Sequence, residues 1–338
     1  MKAIYLNQKA GAESLIFGEI AKPQPKAGEV LVKVHATAIT PTEFQWYPTF
    51  NMPSGDPRPF PIVLSHEFSG VIEALGEGVR NFKTGDEVYG LNDWFANGAQ
   101  AEYCVAPAAM LAQKPRLLDH AHAAAVPISA LMAWQGLLEK NKLQAGQCIL
   151  IHGAAGGVGI FAVQLARWRG AHVVATASSG NLDFVRTLGA HKVIDYRATR
   201  FKDVIHDLDA VFDTVGGDTL QRSWNLLKPG GKLVTVATGC AHADDQRIRD
   251  AFMLVRADNC HLKQIARLID AGELRGFVEK TFPLTEAREA YTRARRGKMR
   301  GKIVLQVARS PAPAGHCQQK YCRAGKAPTI TKTFTLTE

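Results

Sequence analysis

Apolar and polar positions repeat with different periods in the two halves of the chain. Gly28-Glu29-Val30-Leu31-Val32-Lys33-Val34 alternates as a half-buried strand does. Residues 69–76 and 85–90 repeat short apolar runs between glycine turns, and Pro48, Pro53, Pro57, Pro59 and Pro61 mark 48–61 as a loop. Closely spaced strands with such turns predict a small barrel over residues 1–125. From about residue 126, strands at 148–152, 172–176, 192–194, 210–213 and 232–236 alternate with helices at 158–169, 181–188 and 218–227. In the first helix Val158, Phe161, Ala162, Leu165 and Ala166 recur on one face. That alternation predicts an α/β fold with a parallel, doubly wound sheet over 126–262. Helices at 259–271 and 285–296 and a strand at 301–307 make 263–308 a segment that returns to the barrel.

The chemistry-bearing segment is Cys148-Ile149-Leu150-Ile151-His152-Gly153-Ala154-Ala155-Gly156-Gly157-Val158-Gly159-Ile160. A buried strand runs into glycines that open an amphipathic helix. Glycines let the backbone approach a pyrophosphate, and the helix N-terminus offers free N–H groups and a favourable dipole. With further strand-helix units behind it, the segment predicts dinucleotide binding at Ala155, Gly156, Gly157 and Val158. An acid closing the next strand would bind the ribose 2′-hydroxyl of NAD. Here that strand runs out through Thr176-Ala177-Ser178-Ser179-Gly180-Asn181, with no acid before Asp183. A 2′-phosphate would meet hydroxyls instead of a carboxylate, which points to NADPH. Ser178, and Tyr196 and Arg197 beyond the third strand, are candidate contacts at this end. Val215 and Ala237, beyond the last two strands, complete the expected cofactor set.

Charge changes the picture only until it is located. The 338 residues carry a formal net charge of +10 with 46% hydrophobic and 21% charged residues. Residues 293–302 carry +6 and residues 309–338 carry +4, so the rest is neutral overall. We read a solvated basic helix end and a basic, disordered tail, opened by Ser310-Pro311-Ala312-Pro313-Ala314-Gly315. A nucleic-acid partner would need a basic face on the folded body. No run reaches the roughly 18 apolar residues that span a bilayer, and the start lacks a secretory pattern. A cytoplasmic protein without a membrane partner is expected. Six widely spaced cysteines do not make a disulfide framework.

Both halves match one family. The run from Pro61-Ile62-Val63-Leu64-Ser65-His66-Glu67-Phe68-Ser69-Gly70 to Gly76-Glu77-Gly78-Val79 resembles the barrel signature of the medium-chain dehydrogenase/reductase superfamily. Phe82-Lys83-Thr84-Gly85-Asp86-Glu87-Val88-Tyr89-Gly90, the 154–159 turn and Gly301-Lys302-Ile303-Val304-Leu305 are similar to it too. The resemblance covers about residues 1–308 and is to the zinc-independent quinone oxidoreductase (zeta-crystallin-like) branch. It implies a GroES-like barrel, a Rossmann domain, an active site in the cleft between them, and a homodimer through the sheet edge near 232–262.

Many such relatives hold a catalytic zinc, which needs about three protein ligands. Thr40 and Ile128 stand where two ligands would be, leaving His66, so no metal is expected. Without a Lewis acid, hydride transfer favours a quinone or α,β-unsaturated carbonyl, which spreads the arriving charge onto its oxygen. Thr40, Tyr47 and His66 are the candidate donors to that oxygen; each can also serve as a packing residue. Met132 and Gly180 depart from the branch, which often has a threonine at the first place and a basic residue at the second. Two rival readings remain: a zinc-type alcohol dehydrogenase recruiting His66 with Glu43, and a dinucleotide-binding protein without turnover.

Overall fold

The computed structural model describes residues 1–308 except His242 and Lys298. The tail expected at 309–338 lies outside the described residues. Glu29–Ala38 is the hub of the barrel sheet. Val30, Val32 and Val34 are buried while Lys33 is exposed, as the alternation requires. This strand pairs antiparallel with Glu67–Leu75, Tyr103–Pro107 and Lys302–Gln306. Glu87–Leu91 and Leu111–Gln113 extend the sheet on one side, and Val278–Pro283 joins Lys302–Gln306 in parallel on the other. A smaller sheet of Ile16–Glu19, Lys2–Leu6 and Ile62–Val63 lies beside it. The proline-rich loop begins with a helical turn, Tyr47–Phe50, that the sequence pattern did not predict.

The second domain is a five-stranded parallel sheet in the order Lys192–Asp195, His172–Ala177, Cys148–Ile151, Leu208–Asp213, Leu227–Thr235. Its order reverses at Cys148–Ile151, and the glycine turn emerges there, at the carboxyl end where such sheets bind ligands. The helix expected at 218–227 stops earlier, as Gly217–Ser223, and the last strand begins at Leu227. The reason is local. Gly230 has φ +80, and the pairing slips between Leu208 and Ala210. A bulge therefore absorbs residues before Lys232 that read as turn.

The two domains share one core. Tyr89 and Leu91 of the barrel pack in the same apolar cluster as Ile128, Leu131 and Phe161. Gly156 of the turn bridges Gly301, next to the last barrel strand. The basic stretch 293–302 is the solvated helix end expected only at Arg295 and Arg296, which are exposed. Arg293 pairs with Glu279, Lys302 with Glu67, and Arg300 with Gly180 and Asn181. A long-range fold brings acids and carbonyls to these cations, which local sequence does not reveal. Among the described residues no helix is long and apolar enough to cross a membrane. The fully buried Tyr89 hydroxyl donates to the Leu262 carbonyl at 2.6 Å, tying barrel to helix Asn259–Asp270. Tyr89→Phe should therefore lower stability by about 1 kcal/mol without changing the fold, read as a lower urea midpoint with an unchanged slope.

Candidate functional site

The glycine turn has the shape its sequence predicts. Gly153 has φ +69, and a Cβ there would lie 2.2 Å from Thr214 Oγ1. A Cβ at Gly159 would lie 2.2 Å from the Gly153 carbonyl oxygen, so helix and strand pack too closely for any side chain. Gly156 caps the helix Gly157–Trp168 without a side-chain hydrogen bond. Its own Cβ would meet only the Gly153 oxygen, at 3.3 Å. Space above the helix end and first-turn N–H groups are thus left to an anion. Ala155 is buried, and Gly157 and Val158 are half-buried on the same turn. These residues fit a dinucleotide pyrophosphate.

The remaining cofactor candidates lie along the carboxyl edge of the sheet. Half-buried Ser178 follows His172–Ala177. Exposed Tyr196 and Arg197 follow the neighbouring strand, with the Arg197 guanidinium 5.6 Å from the Tyr196 ring centre. Asp195, level with Ala177 across the sheet, accepts from the Ser179 hydroxyl and, at 3.0 Å, from the Arg197 N–H. The Ser179 hydrogen bond, aided by that N–H, holds its carboxyl below the usual range. On the other side Val215 and Ala237 line a cavity of about 320 Å³ with Gly216 and Cys240.

Across the domain joint stands Thr40, half-buried. The Lys302 ammonium donates to Thr40 Oγ1 at 2.9 Å and sits 2.6 Å from the fully buried Glu67 carboxylate. The other Glu67 oxygen accepts the Ile128 N–H at 3.0 Å. Burial pushes the Glu67 carboxyl up, and Lys302 opposes it. The Lys302 stem also runs beneath the turn: a Cβ on Gly157 would come 3.1 Å from its Cδ. Thr40 and the glycine turn are therefore joined by a single side chain.

His66 is placed differently. It is buried, with Nδ1 2.8 Å from Asn92 Oδ1 and Nε2 3.6 Å from Glu43 Oε1. Asn92 spends its amide N–H on the Asn97 carbonyl, so its oxygen faces the ring and Nδ1 carries the proton. Burial pushes His66 down to about 4 and Glu43 up to about 8. Both are neutral at pH 7, so their contact is not an ion pair. Both His66 nitrogens thus face protein groups. Tyr47 is 55% exposed, and its hydroxyl donates to the Met52 carbonyl at 3.4 Å. The structure brings Thr40 together with the turn; it seals His66 behind Trp94, whose ring centre is 5.3 Å away, and leaves Tyr47 at the surface. Met132 is half-buried on the helix Pro127–Trp134.

The donor set does not suit a catalytic zinc. Ile128 offers only a backbone N–H here, Thr40 is engaged by Lys302, and among the described residues no three His, Cys, Asp or Glu side chains gather as a metal would need. Sequence reasoning missed Lys302, Arg300, Trp46 and Trp94. Trp46 and Trp94 meet edge to face at 5.6 Å beside His66. The available signal was a lysine in an apolar strand, Lys302-Ile303-Val304-Leu305, matched by an acid in another, Glu67-Phe68.

Comparison with known proteins agrees with this architecture. The family model described as alcohol dehydrogenase GroES-like domain matches residues 26–116, and that described as zinc-binding dehydrogenase matches 188–305. The chain is 33% identical over 331 residues to the mitochondrial NAD(P)H oxidoreductase RTN4IP1 of Mus musculus, covering 82% of each chain. It is 31% identical over 296 residues to 2-methylene-furan-3-one reductase of Solanum lycopersicum, covering 85% of this chain and 74% of that one. The solved quinone oxidoreductase from Coxiella burnetii superposes with a TM-score of 0.83 at 31% identity, covering 91% of this chain and 99% of that one.

The buried pair makes stability depend on pH. Folded Glu43 holds its proton to about 8, against an ordinary 4.5, so its contribution falls as pH rises between those values. Folded His66 stays neutral down to about 4, against an ordinary 6.5, so its contribution rises across that interval. The slopes oppose each other where they overlap, leaving a net loss from 6.5 to about 8. That loss is at most about 2 kcal/mol. Glu43→Gln, which keeps an oxygen for the Ser65 N–H, should flatten the decline, measured as urea midpoints at either end of the interval.

Proposed function

The chain belongs to the medium-chain dehydrogenase/reductase superfamily as an NAD(P)H-dependent oxidoreductase, and we propose that it uses NADPH to reduce a quinone or α,β-unsaturated carbonyl without a metal ion. The observation that carries this reading is the Lys302–Thr40 hydrogen bond beside the glycine turn. Gly156, Gly157 and Val158 would hold the cofactor by its pyrophosphate, and its nicotinamide would supply the hydride. Lys302 directs an N–H at Thr40 Oγ1, so the threonine's own hydrogen is free for the acceptor oxygen. Charge-assisted donation strengthens that second hydrogen bond. A conjugated acceptor brings its developing negative charge to that oxygen, where a fixed donor stabilises it. Glu67 keeps Lys302 in place from the buried side. Trp46 and Trp94 supply flat apolar surface suited to a planar acceptor. The names of two relatives, a quinone oxidoreductase and a 2-methylene-furan-3-one reductase, support the same substrate class.

The preference for NADPH rests on the loop 178–181. The loop itself carries no acid, and Asp195 on the neighbouring strand turns its oxygens to the Ser179 hydroxyl and the Arg197 N–H. We also propose a homodimer through the edge strand Leu227–Thr235, which has one strand neighbour in the sheet. Sedimentation should give a dimer mass; a concentration-independent monomer would refute it.

Purified protein should oxidise NADPH with 1,4-naphthoquinone or an enone in the presence of EDTA, and should leave simple alcohols nearly untouched. Thr40→Val should lower kcat roughly 10- to 100-fold with NADPH affinity unchanged, while Thr40→Ser retains most of the rate. Stoichiometric zinc, or activity lost to chelator and restored by metal, would sink the metal-free reading. Equal rates for Thr40→Val and wild type would remove Thr40 from the chemistry.

A further inference from the structure

Gly180 leaves open space on the loop after the second strand of the sheet, the end at which this fold recognises a dinucleotide's ribose. A Cβ there would meet nothing within 4 Å, and the loop 178–181 carries no basic residue. The structure brings a guanidinium to this loop from 120 residues away in sequence. Arg300 donates from Nη2 to the Gly180 carbonyl at 2.7 Å and from Nε to Asn181 Oδ1 at 2.8 Å. Its planar head lies 5.0 Å from the Phe184 ring centre. The Arg300 backbone N–H donates to Glu279 at 2.9 Å, and the next residue, Gly301, bridges Gly156 in the phosphate turn. The strand that docks on the pyrophosphate turn thus also delivers a cation to the ribose end. Among the described residues Arg300 Nη1 donates no hydrogen bond.

We propose that Arg300 is the residue that recognises the 2′-phosphate of NADPH, supplied by the segment returning to the barrel in place of a basic side chain at position 180. The inference rests on the NADPH reading above and assigns its specificity to one side chain. The physical case is geometric. Two donors of the guanidinium are held by the loop, which fixes its plane, and Nη1 is left to reach a phosphate oxygen. Arginine suits this role because its rigid, always charged fork binds phosphate with little loss of freedom. Ser178 and exposed Arg197 flank the same loop from the sheet side, and Asp195, the acid nearby, accepts from the Ser179 hydroxyl and the Arg197 backbone N–H. A 2′-phosphate seated here would also hold the return segment onto the dinucleotide domain, since Arg300 and Gly301 are consecutive.

Binding of 2′,5′-ADP, 5′-AMP, NADPH and NADH to the full chain tests this, by calorimetry without turnover. Wild type should bind 2′,5′-ADP more tightly than 5′-AMP. Arg300→Gln should weaken 2′,5′-ADP and NADPH about 10- to 100-fold and leave 5′-AMP and NADH within about twofold. Arg300→Lys, which keeps the charge without the fork, should fall between. If wild type discriminates and Arg300→Gln discriminates equally, Arg300 is overturned while the NADPH reading stands. If Arg300→Gln weakens all four ligands alike, Arg300 only braces the loop and the proposal fails. If wild type does not distinguish 2′,5′-ADP from 5′-AMP, the NADPH reading itself fails.

Discussion

A buried ammonium has to be paired, and the pairing of Lys302 with Glu67 holds the rest of the site in place. Glu67 is fully buried and Lys302 nearly so, and they come from adjoining neighbours of one hub strand. An unpaired charge in that position would cost several kcal/mol. The register of the last strand against Glu29–Ala38 is therefore constrained by electrostatics as well as by Ile303, Val304 and Leu305 in the core. With the register set, the Lys302 stem passes under Gly157 and its head reaches Thr40. The position of Thr40 relative to the glycine turn follows from that one pair.

A second buried pair, His66 and Glu43, does something else with the same kinds of group. Neither has a counter-charge in contact, so burial drives both to neutrality. The contrast with Glu67 is one of partners. Glu67 has an ammonium at 2.6 Å, whereas Glu43 has a backbone N–H at 2.7 Å and a neutral ring. In this setting His66 braces the Asn92 loop and the Trp94 ring rather than facing the cleft. The two pairs are adjacent in sequence at His66-Glu67: His66 lies just before the strand Glu67–Leu75 and Glu67 opens it, yet they reach different partners.

The basic segment 293–302 illustrates how composition misleads without geometry. Its charge reads as a solvated surface feature, yet Arg293, Arg300 and Lys302 each reach a partner distant in sequence. Those contacts fasten the returning segment to both domains. Charge located by sequence position alone does not reveal whether its partners come from solvent or from another strand.

The sequence by itself determined the two-part architecture, the doubly wound sheet and the glycine turn. These are local matters: strand alternation, helical spacing and glycines at Gly153, Gly156 and Gly159, whose close contacts lie within a few residues or on the adjacent strand. It also carried the family resemblance, through runs such as Ser65-His66-Glu67 and Gly301-Lys302-Ile303. Only the tertiary structure decided which of the candidate side chains meet. It placed Lys302 against Thr40 across 262 residues, brought Arg300 to Gly180 and turned both nitrogens of His66 toward protein groups. Periodicity reports which face of an element is buried. What a polar group on that face will touch depends on strand register and domain docking, and these are set by contacts between segments far apart in the chain.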